Sequence, residues 1–401
     1  MRKMELDETL RGRDIVCFSN DWDGDPLSKT HIMRLLAREN RVLWVNSLGN
    51  RAPTLSTHDL KRVVNKLKAA AESAREVVKE VEKNIFVLAP LAVPVFGSEL
   101  VRRVNKVVLK AQLQRAMKHL GFNRPIVWSF LPSAEWVAGS LDSELLIYHC
   151  VDEFSAFSDA PGRLIAEAEE RLVKSADMVI TSAERLQQSK SALNANTCLV
   201  RHGVDWEHFS KALDPDLKVP EDMAKLAKPV IGFFGLVADW VDIELIEKVA
   251  RAYPDASVVI IGSVRTDVSK LGWLPNVHFL GRKKYAELPA YCRGFDVALM
   301  PFRINELTLN ANPLKVREYL AAGLPVVSTN IPEVTQLGQC LIGNDHDEFI
   351  AKVGEALKDG GPSRARSEAI RHESWAAKVE EIRDHVRAFT RKGPARRRQA
   401  S

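Results

Sequence analysis

Two kinds of apolar pattern alternate along the chain. Short runs rich in β-branched and aromatic residues, DIVCFSN (14–20) and RVLWVNS (41–47), flank a helical pattern, SKTHIMRLLAREN. The runs NIFVLAP, PIVWSF, LLIYHCVD, DMVITS and TCLVRHGVD follow, with helical patterns between them. Strands alternating with helices predict βαβ units and a mostly parallel sheet.

A polar, proline-containing stretch, SKALDPDLKVPEDMAKLAKP, then interrupts, and the alternation restarts with VIGFFGLVA, VDIELIEKVARAYP, ASVVIIGS, NVHFLG, FDVALMPF, PVVST and CLIG. The pattern predicts an α/β class with two Rossmann-like, doubly wound domains: residues 1–208, a linker at 209–228, and residues 229–372. Residues 373–389 read as a further amphipathic helix, and 390–401 as a basic tail expected to be disordered. Residues 58–83 and 98–119 read as helices rich in Lys and Arg. Such runs are ordinarily solvated faces.

Composition narrows the class. A 401-residue chain with 46% hydrophobic and 27% charged residues has material for two cores. A net charge of +5 does not argue for nucleic acid. Five dispersed cysteines without a C-x-x-C pair read as reduced thiols and show no zinc spacing. No apolar run approaches a membrane span, and the charged start MRKMELDETLRGRD does not read as a signal peptide, so a cytoplasmic protein is expected.

The chemistry concentrates in NPLKVREYLAAGLPVVST (312–329). Asn312 suits an N-cap and Pro313 the first helical position. Free N–H groups there favour an anion. Lys315 in the first turn adds charge where the dipole is already positive, which a bound anion would offset. Glu318, one turn on, could accept two ribose hydroxyls. The plain alternative is a solvated Lys315 and a Glu318 paired with Arg317 or Lys315.

These segments, together with IGFFGLVADWVDIELI, NVHFLGRKKYAELPAYCRGFDVALMPF, YHCVDEF, RLVKSADMVITSAERL and VRHGVDWEHF, resemble GT-B glycosyltransferases, especially family-4-like bacterial enzymes of exopolysaccharide and teichuronic-acid type. The resemblance spans most of the chain in order. It implies two domains facing across a cleft, with the second binding a nucleotide-sugar donor and the final helix crossing back to the first. By this resemblance Glu318 holds the donor ribose, Lys315 approaches the diphosphate, and Gly235 lets backbone come close to the ligand. Gly235 alone also reads as a tight turn. His202 and Gly203 of RHGVD would line the donor site, although a lone His is as readily structural.

The chain departs from the family pattern at two places. Counting back from Glu318 to the paired carboxylate of family 4 reaches Asn310, with Glu306 nearby but out of spacing. The Arg/Lys pair expected after FFG is replaced by the acidic LVADWVD, so Lys315, Arg303 and Arg201 would supply the charge. In this the chain resembles the glucuronosyltransferase of xanthan assembly.

The first domain would bind the acceptor. Asp21, Asp23 and Asp25 alternate like the start of a calcium loop, but Ile32 stands where its closing Glu belongs. An acceptor-facing loop carrying Asp23, Asp25, Lys29 and His31 is expected, with Lys29 or His31 near a phosphate. The alternative is a solvated turn with Ser28 capping a helix. Removal of the acceptor proton falls to Asp152 in YHCVDEF, with His149 and Glu153 as rivals. Asp152 could equally cap the next segment.

The resemblance implies a transferase moving sugar from a nucleoside diphosphate sugar, a UDP-sugar foremost, to a hydroxyl of a glycan or lipid-linked acceptor in surface polysaccharide synthesis. It implies no metal and no other cofactor. Basic residues of the first domain would draw the enzyme to the anionic inner leaflet. Two other readings share the architecture: a UDP-sugar epimerase and a non-catalytic nucleotide-sugar-binding partner of an assembly complex. A nicotinamide-binding protein is disfavoured, since no G-x-G-x-x-G follows either first strand.

Overall fold

A computed structural model describes residues 10–47, 78–90, 99–158, 161–359 and 361–392. They pack as two units. One runs to Val200 and resumes at Val379; the other is Arg201–Lys378.

The first unit is built on β1 (Asp14–Phe18), β2 (Arg41–Val45), β3 (Val78–Glu82), β4 (Ile85–Leu88), β5 (Ile126–Ser129), β6 (Leu145–Cys150), β7 (Met178–Thr181) and β8 (Thr197–Leu199). They form one sheet in the order β3-β4-β2-β1-β5-β6-β7-β8. All neighbours are parallel except the β3–β4 hairpin. The central strands are apolar on both faces because helices cover both. The helix Glu99–Leu120 turns Leu109, Leu113 and Ala116 to the core and leaves Lys106, Arg115 and Lys118 in solvent. Leu109, Leu113 and Ala116 thus form a core-facing stripe, whereas Val107 is exposed.

Residues 58–77, expected to be helical, lie outside the described residues, as does the tail from 393. Residues 78–82, expected as the end of that helix, form β3 instead. Asn84, at φ 64°, turns the chain into an antiparallel pair, and this tight turn overrides the helical reading of VKEVEKN.

The second unit is built on β9 (Val230–Phe234), β10 (Ser257–Ile261), β11 (Val277–Gly281), β12 (Val297–Met300), β13 (Val326–Thr329) and β14 (Leu341–Gly343). These pair in parallel in the order β11-β10-β9-β12-β13-β14. Residues 209–228, expected as a linker, pack within this unit. Phe209, Ala212 and Met223 belong to its core, and Arg293 donates to the carbonyls of Ala212 and Pro215, both at 3.2 Å. Val219 and Leu226 also pack against this core, and the irregular spacing of these apolar residues shows no periodicity.

The helix Trp375–Lys392 buries Val379, Ile382 and Val386. In the first unit its Arg383 meets Glu39 at 2.5 Å.

Candidate functional site

Parallel sheets present ligands at the carboxyl ends of their strands. In the second unit that edge is shaped by two glycines. Gly235 follows β9 at φ 142° and Gly262 follows β10 at φ 146°. A Cβ on Gly262 would stand 1.8 Å from the Gly235 carbonyl oxygen, so the two turns approach through bare backbone.

The helix Leu314–Ala321 points its N-terminus at this edge. Pro313 is its N-cap and supplies no side-chain cap. Asn312 therefore does not cap the helix as expected. A Cβ on Gly235 would lie 1.9 Å from Lys315 Cε, so the lysine lies over the β9 turn in space that only glycine leaves. Tyr319 fixes this placement. Its hydroxyl accepts from the Phe234 amide at 2.8 Å, and its ring meets Phe234 edge-on at 4.7 Å. Tyr319 is fully buried, and its role in aiming the helix was not read from the sequence.

Glu318 shares the site. Its carboxyl keeps some exposure but is surrounded by protein, and burial pushes it up to about 7, with Lys315 pulling down and Asp205 pushing up. Asp205 caps the helix Trp206–Phe209, accepting from the His208 amide at 3.2 Å. It enters the site through the chain fold, without a motif to announce it.

The opposite side of the helix is held by a buried polar network. Arg317 donates to Asn312 Oδ1 at 2.6 Å and to Glu373 at 3.3 Å, so it pairs with Glu373 and not with Glu318. The Asn312 carbonyl meets His202 Nδ1 at 2.8 Å, and Arg201 donates to Glu333 at 2.7 Å. Asn312 and His202, expected to touch the donor, are 3% and 5% exposed and serve this network. Arg201, expected to supply charge, is committed to Glu333. Gly203 admits the Trp375 ring, which a Cβ would approach to 2.9 Å.

Arg303 is exposed beyond β12, its amide bonded to the Trp240 carbonyl at 2.8 Å. Asn310 is buried and donates to the Glu306 carboxylate at 2.8 Å. The acidic run after FFG is partly structural. Asp242 accepts from the Leu245 amide at 3.1 Å as the N-cap of the helix Ile243–Ala252, and meets His346 at 2.9 Å.

In the first unit, the segment after β1 is tied down on one side and open on the other. Asp21 accepts from the Ser47 amide at 3.1 Å, and the Trp22 amide donates to Asn46 at 3.1 Å. Trp22 stands edge-on to Trp44 at 4.9 Å with Arg34 over its face at 5.2 Å. Asp23 and Asp25 are exposed, and His31 is half-buried. Leu27, not Ser28, is the N-cap of the helix Ser28–Leu36. Lys29 is 6% exposed and donates to Asn20 Oδ1, so it is not a surface phosphate contact.

After β6, Asp152 is half-buried. His149 and Glu153, its rivals, flank it. His149 is 1% exposed and stacks on Phe130 at 4.9 Å within the strand, the position of a packing residue. Glu153 accepts from Ser155 at 2.6 Å and pairs with Lys190 at 3.3 Å; Lys190 also pairs with buried Glu169 at 2.7 Å. Among the described residues no group of three or more His, Cys, Asp or Glu is arranged to hold a metal ion. Nor is any described helix long and apolar enough to cross a membrane.

Residues 228–359 match the family described as Glycosyl transferases group 1. Over 277 residues the chain is 27% identical to a putative teichuronic acid biosynthesis glycosyltransferase, TuaH, of Bacillus subtilis (strain 168), covering 63% of this chain and 69% of that protein. The chain is a glycosyltransferase of the GT-B fold. Sucrose-phosphate synthase from Thermosynechococcus elongatus superposes with a TM-score of 0.69 at 15% identity, over 95% of this chain and all of that one. Anabaena Alr3699/HepE, solved with UDP and glucose, superposes with a TM-score of 0.62 at 15% identity, over 94% and 100%. The Lys315–Glu318 helix of this glycosyltransferase falls inside the matched domain.

Proposed function

We propose that the enzyme transfers a sugar from a UDP-sugar to a hydroxyl of a glycan or lipid-linked acceptor in surface polysaccharide synthesis. One observation carries the donor side: Lys315 and Glu318 stand on one helix N-terminus beside the open Gly235 turn. Lys315 and the first-turn N–H groups would stabilise the departing diphosphate, and Glu318 would accept the ribose hydroxyls. The solved relative holding UDP and glucose supports the choice of nucleotide, and the teichuronic acid relative supports the pathway class.

Asp152 would take the acceptor proton. Its half-exposed place just beyond the carboxyl end of β6 favours it. Asp23, Asp25 and His31 would face the acceptor from the segment after β1. Charge neutralisation by protein groups would make a bound metal unnecessary, and turnover unchanged by chelator checks that. Exposed Lys106, Arg115 and Lys118 would hold the enzyme near an anionic membrane face; flotation with anionic liposomes at low salt checks that.

A thermal-shift titration with UDP, GDP, ADP, dTDP and NAD tests the donor site, because a ligand that binds the native state raises apparent stability. UDP should stabilise the wild type and lose its effect in Lys315→Ala and Glu318→Ala. Variants that respond like the wild type would remove the donor assignment.

A further inference from the structure

The segment that carries Asp152 is held on both sides of that residue. Before it, the Val151 carbonyl accepts from the Ser182 hydroxyl at 2.8 Å, and the Cys150 carbonyl from the Ser182 amide at 3.1 Å. The Cys150 thiol stands 3.4 Å from the Asp152 carbonyl oxygen and 3.3 Å from Glu169 Oε1. After it, Glu153 is gripped at both carboxylate oxygens. Oε1 accepts from the Ser155 hydroxyl at 2.6 Å, and Oε2 from Lys190 Nζ at 3.3 Å.

Lys190 joins the two sides. It lies on the helix Glu184–Ser191, is 7% exposed, and donates also to Glu169 Oε2 at 2.7 Å. Glu169, 3% exposed on the helix Gly162–Ser175, receives the Tyr148 hydroxyl of β6 on its other oxygen. The contacts close a ring that runs from the Asp152 carbonyl through Cys150, Glu169, Lys190 and Glu153, and back to Asp152 along the chain. The helix start closes on the same segment through bare backbone, since a Cβ on Gly162 would stand 2.7 Å from the Ser155 carbonyl oxygen.

Charge balance does not account for every member of this ring. One buried carboxylate, Glu169, is enough to compensate the Lys190 ammonium. Glu153 adds a second, its side chain 15% exposed, on the residue beside Asp152. What the second carboxylate adds is a fixed backbone at that point.

We propose that Glu153 is a positioning residue for Asp152: its ion pair with Lys190 fixes the backbone after β6 so that the Asp152 carboxylate meets the acceptor hydroxyl in one orientation. The inference rests on the reading of Asp152 as the base. Proton transfer requires hydrogen-bond reach, and a misplaced catalytic group costs rate more than affinity.

The test begins with hydrogen exchange of wild type, Glu153→Ala, Lys190→Met and the double variant. Residues 151–157 should exchange about tenfold faster in each single variant, with the helix Gly162–Ser175 unchanged in Glu153→Ala. The double variant should be no faster than the faster single, because both remove one pair. Wild-type protection of 151–157 in Glu153→Ala would overturn the inference. If Lys190→Met does not fold, Glu153→Ala decides alone.

Turnover separates the inference from the reading beneath it. It is measured as UDP release from UDP-hexoses and UDP-uronic acids with octyl glycosides as acceptors, using the pair that wild type turns over fastest. Glu153→Ala should lower kcat about ten- to a hundredfold, with acceptor KM and UDP affinity unchanged. Lys190→Arg should keep the wild-type kcat, because a cavity of about 340 Å³ beside Lys190, Glu153 and Glu169 has room for the guanidinium. A wild-type kcat in Glu153→Ala beside an inactive Asp152→Asn would sink the role of Glu153 and leave the base standing. A fully active Asp152→Asn would remove the base, whatever the exchange shows. If no pair is turned over by wild type, the exchange result stands as the decision.

Discussion

The two units place a lysine at the same point of a helix and use it in opposite ways. Lys29 and Lys315 are each the second residue of a helix at the carboxyl edge of a parallel sheet. Lys315 lies over an open glycine turn and keeps some exposure, and its carboxylate neighbour, Glu318, comes one turn later on the same helix. Lys29 is sealed in, and its hydrogen-bond partner is the neutral Asn20 side chain. In the second unit burial falls on the acid, which rises to about 7; in the first it falls on the base, which drops to about 8. An accessible cation can meet a ligand, whereas a sealed one can only adjust a neighbour.

Replacing the groups at each edge should break this contrast most strongly. Asp152→Asn should lower transfer by about 10²- to 10⁴-fold while leaving the UDP response intact. Lys315→Ala should remove the UDP response and lower kcat/KM by about 10²-fold or more, as expected for lost stabilisation of a departing anion. Gly235→Ala forces an L-residue to φ 142° and its methyl into Lys315 Cε, so it should displace the lysine and weaken UDP binding about tenfold or more, read by titration calorimetry.

Glu318 sharpens the comparison through pH. Its folded value near 7 exceeds its ordinary 4.5, so the native state binds the extra proton and stability falls as pH rises from 4.5 to 7. Above pH 7 the full penalty remains, about 2 kcal/mol after allowance for residual exposure. Glu318→Gln should melt above the wild type by a few degrees at pH 8 and equal it near pH 4.5. Wild-type UDP affinity should rise from pH 6 to pH 8 as the carboxylate forms. The smallest effect should come from Tyr319→Phe, which removes the hydroxyl at Phe234 and should destabilise by about 1 kcal/mol in denaturant unfolding.

The sheets were legible because parallel strands buried on both faces are continuous apolar runs. The β3–β4 hairpin was not, because a charged edge strand lacks that signal and its turn carries Asn84, not glycine, at positive φ. The placement of Lys315 and Glu318 at one helix start was legible from the pattern of NPLKVREYLAAG. The partners of Asn312, His202 and Arg201 within the protein were not legible, because a polar residue at a helix start reads alike whether it meets a ligand or Arg317 and Glu333. Tyr319 and Asp205 gain their parts from contacts distant in the chain.

The Trp22–Trp44 pair gives the acceptor-side segment an optical handle. Trp22 lies directly before Asp23, with an indole at its edge and a guanidinium over its face, both of which shape its emission. Any acceptor that rearranges residues 21–25 should alter that emission. Acceptor screening could then proceed by intrinsic fluorescence, without label, radioisotope or completed reaction.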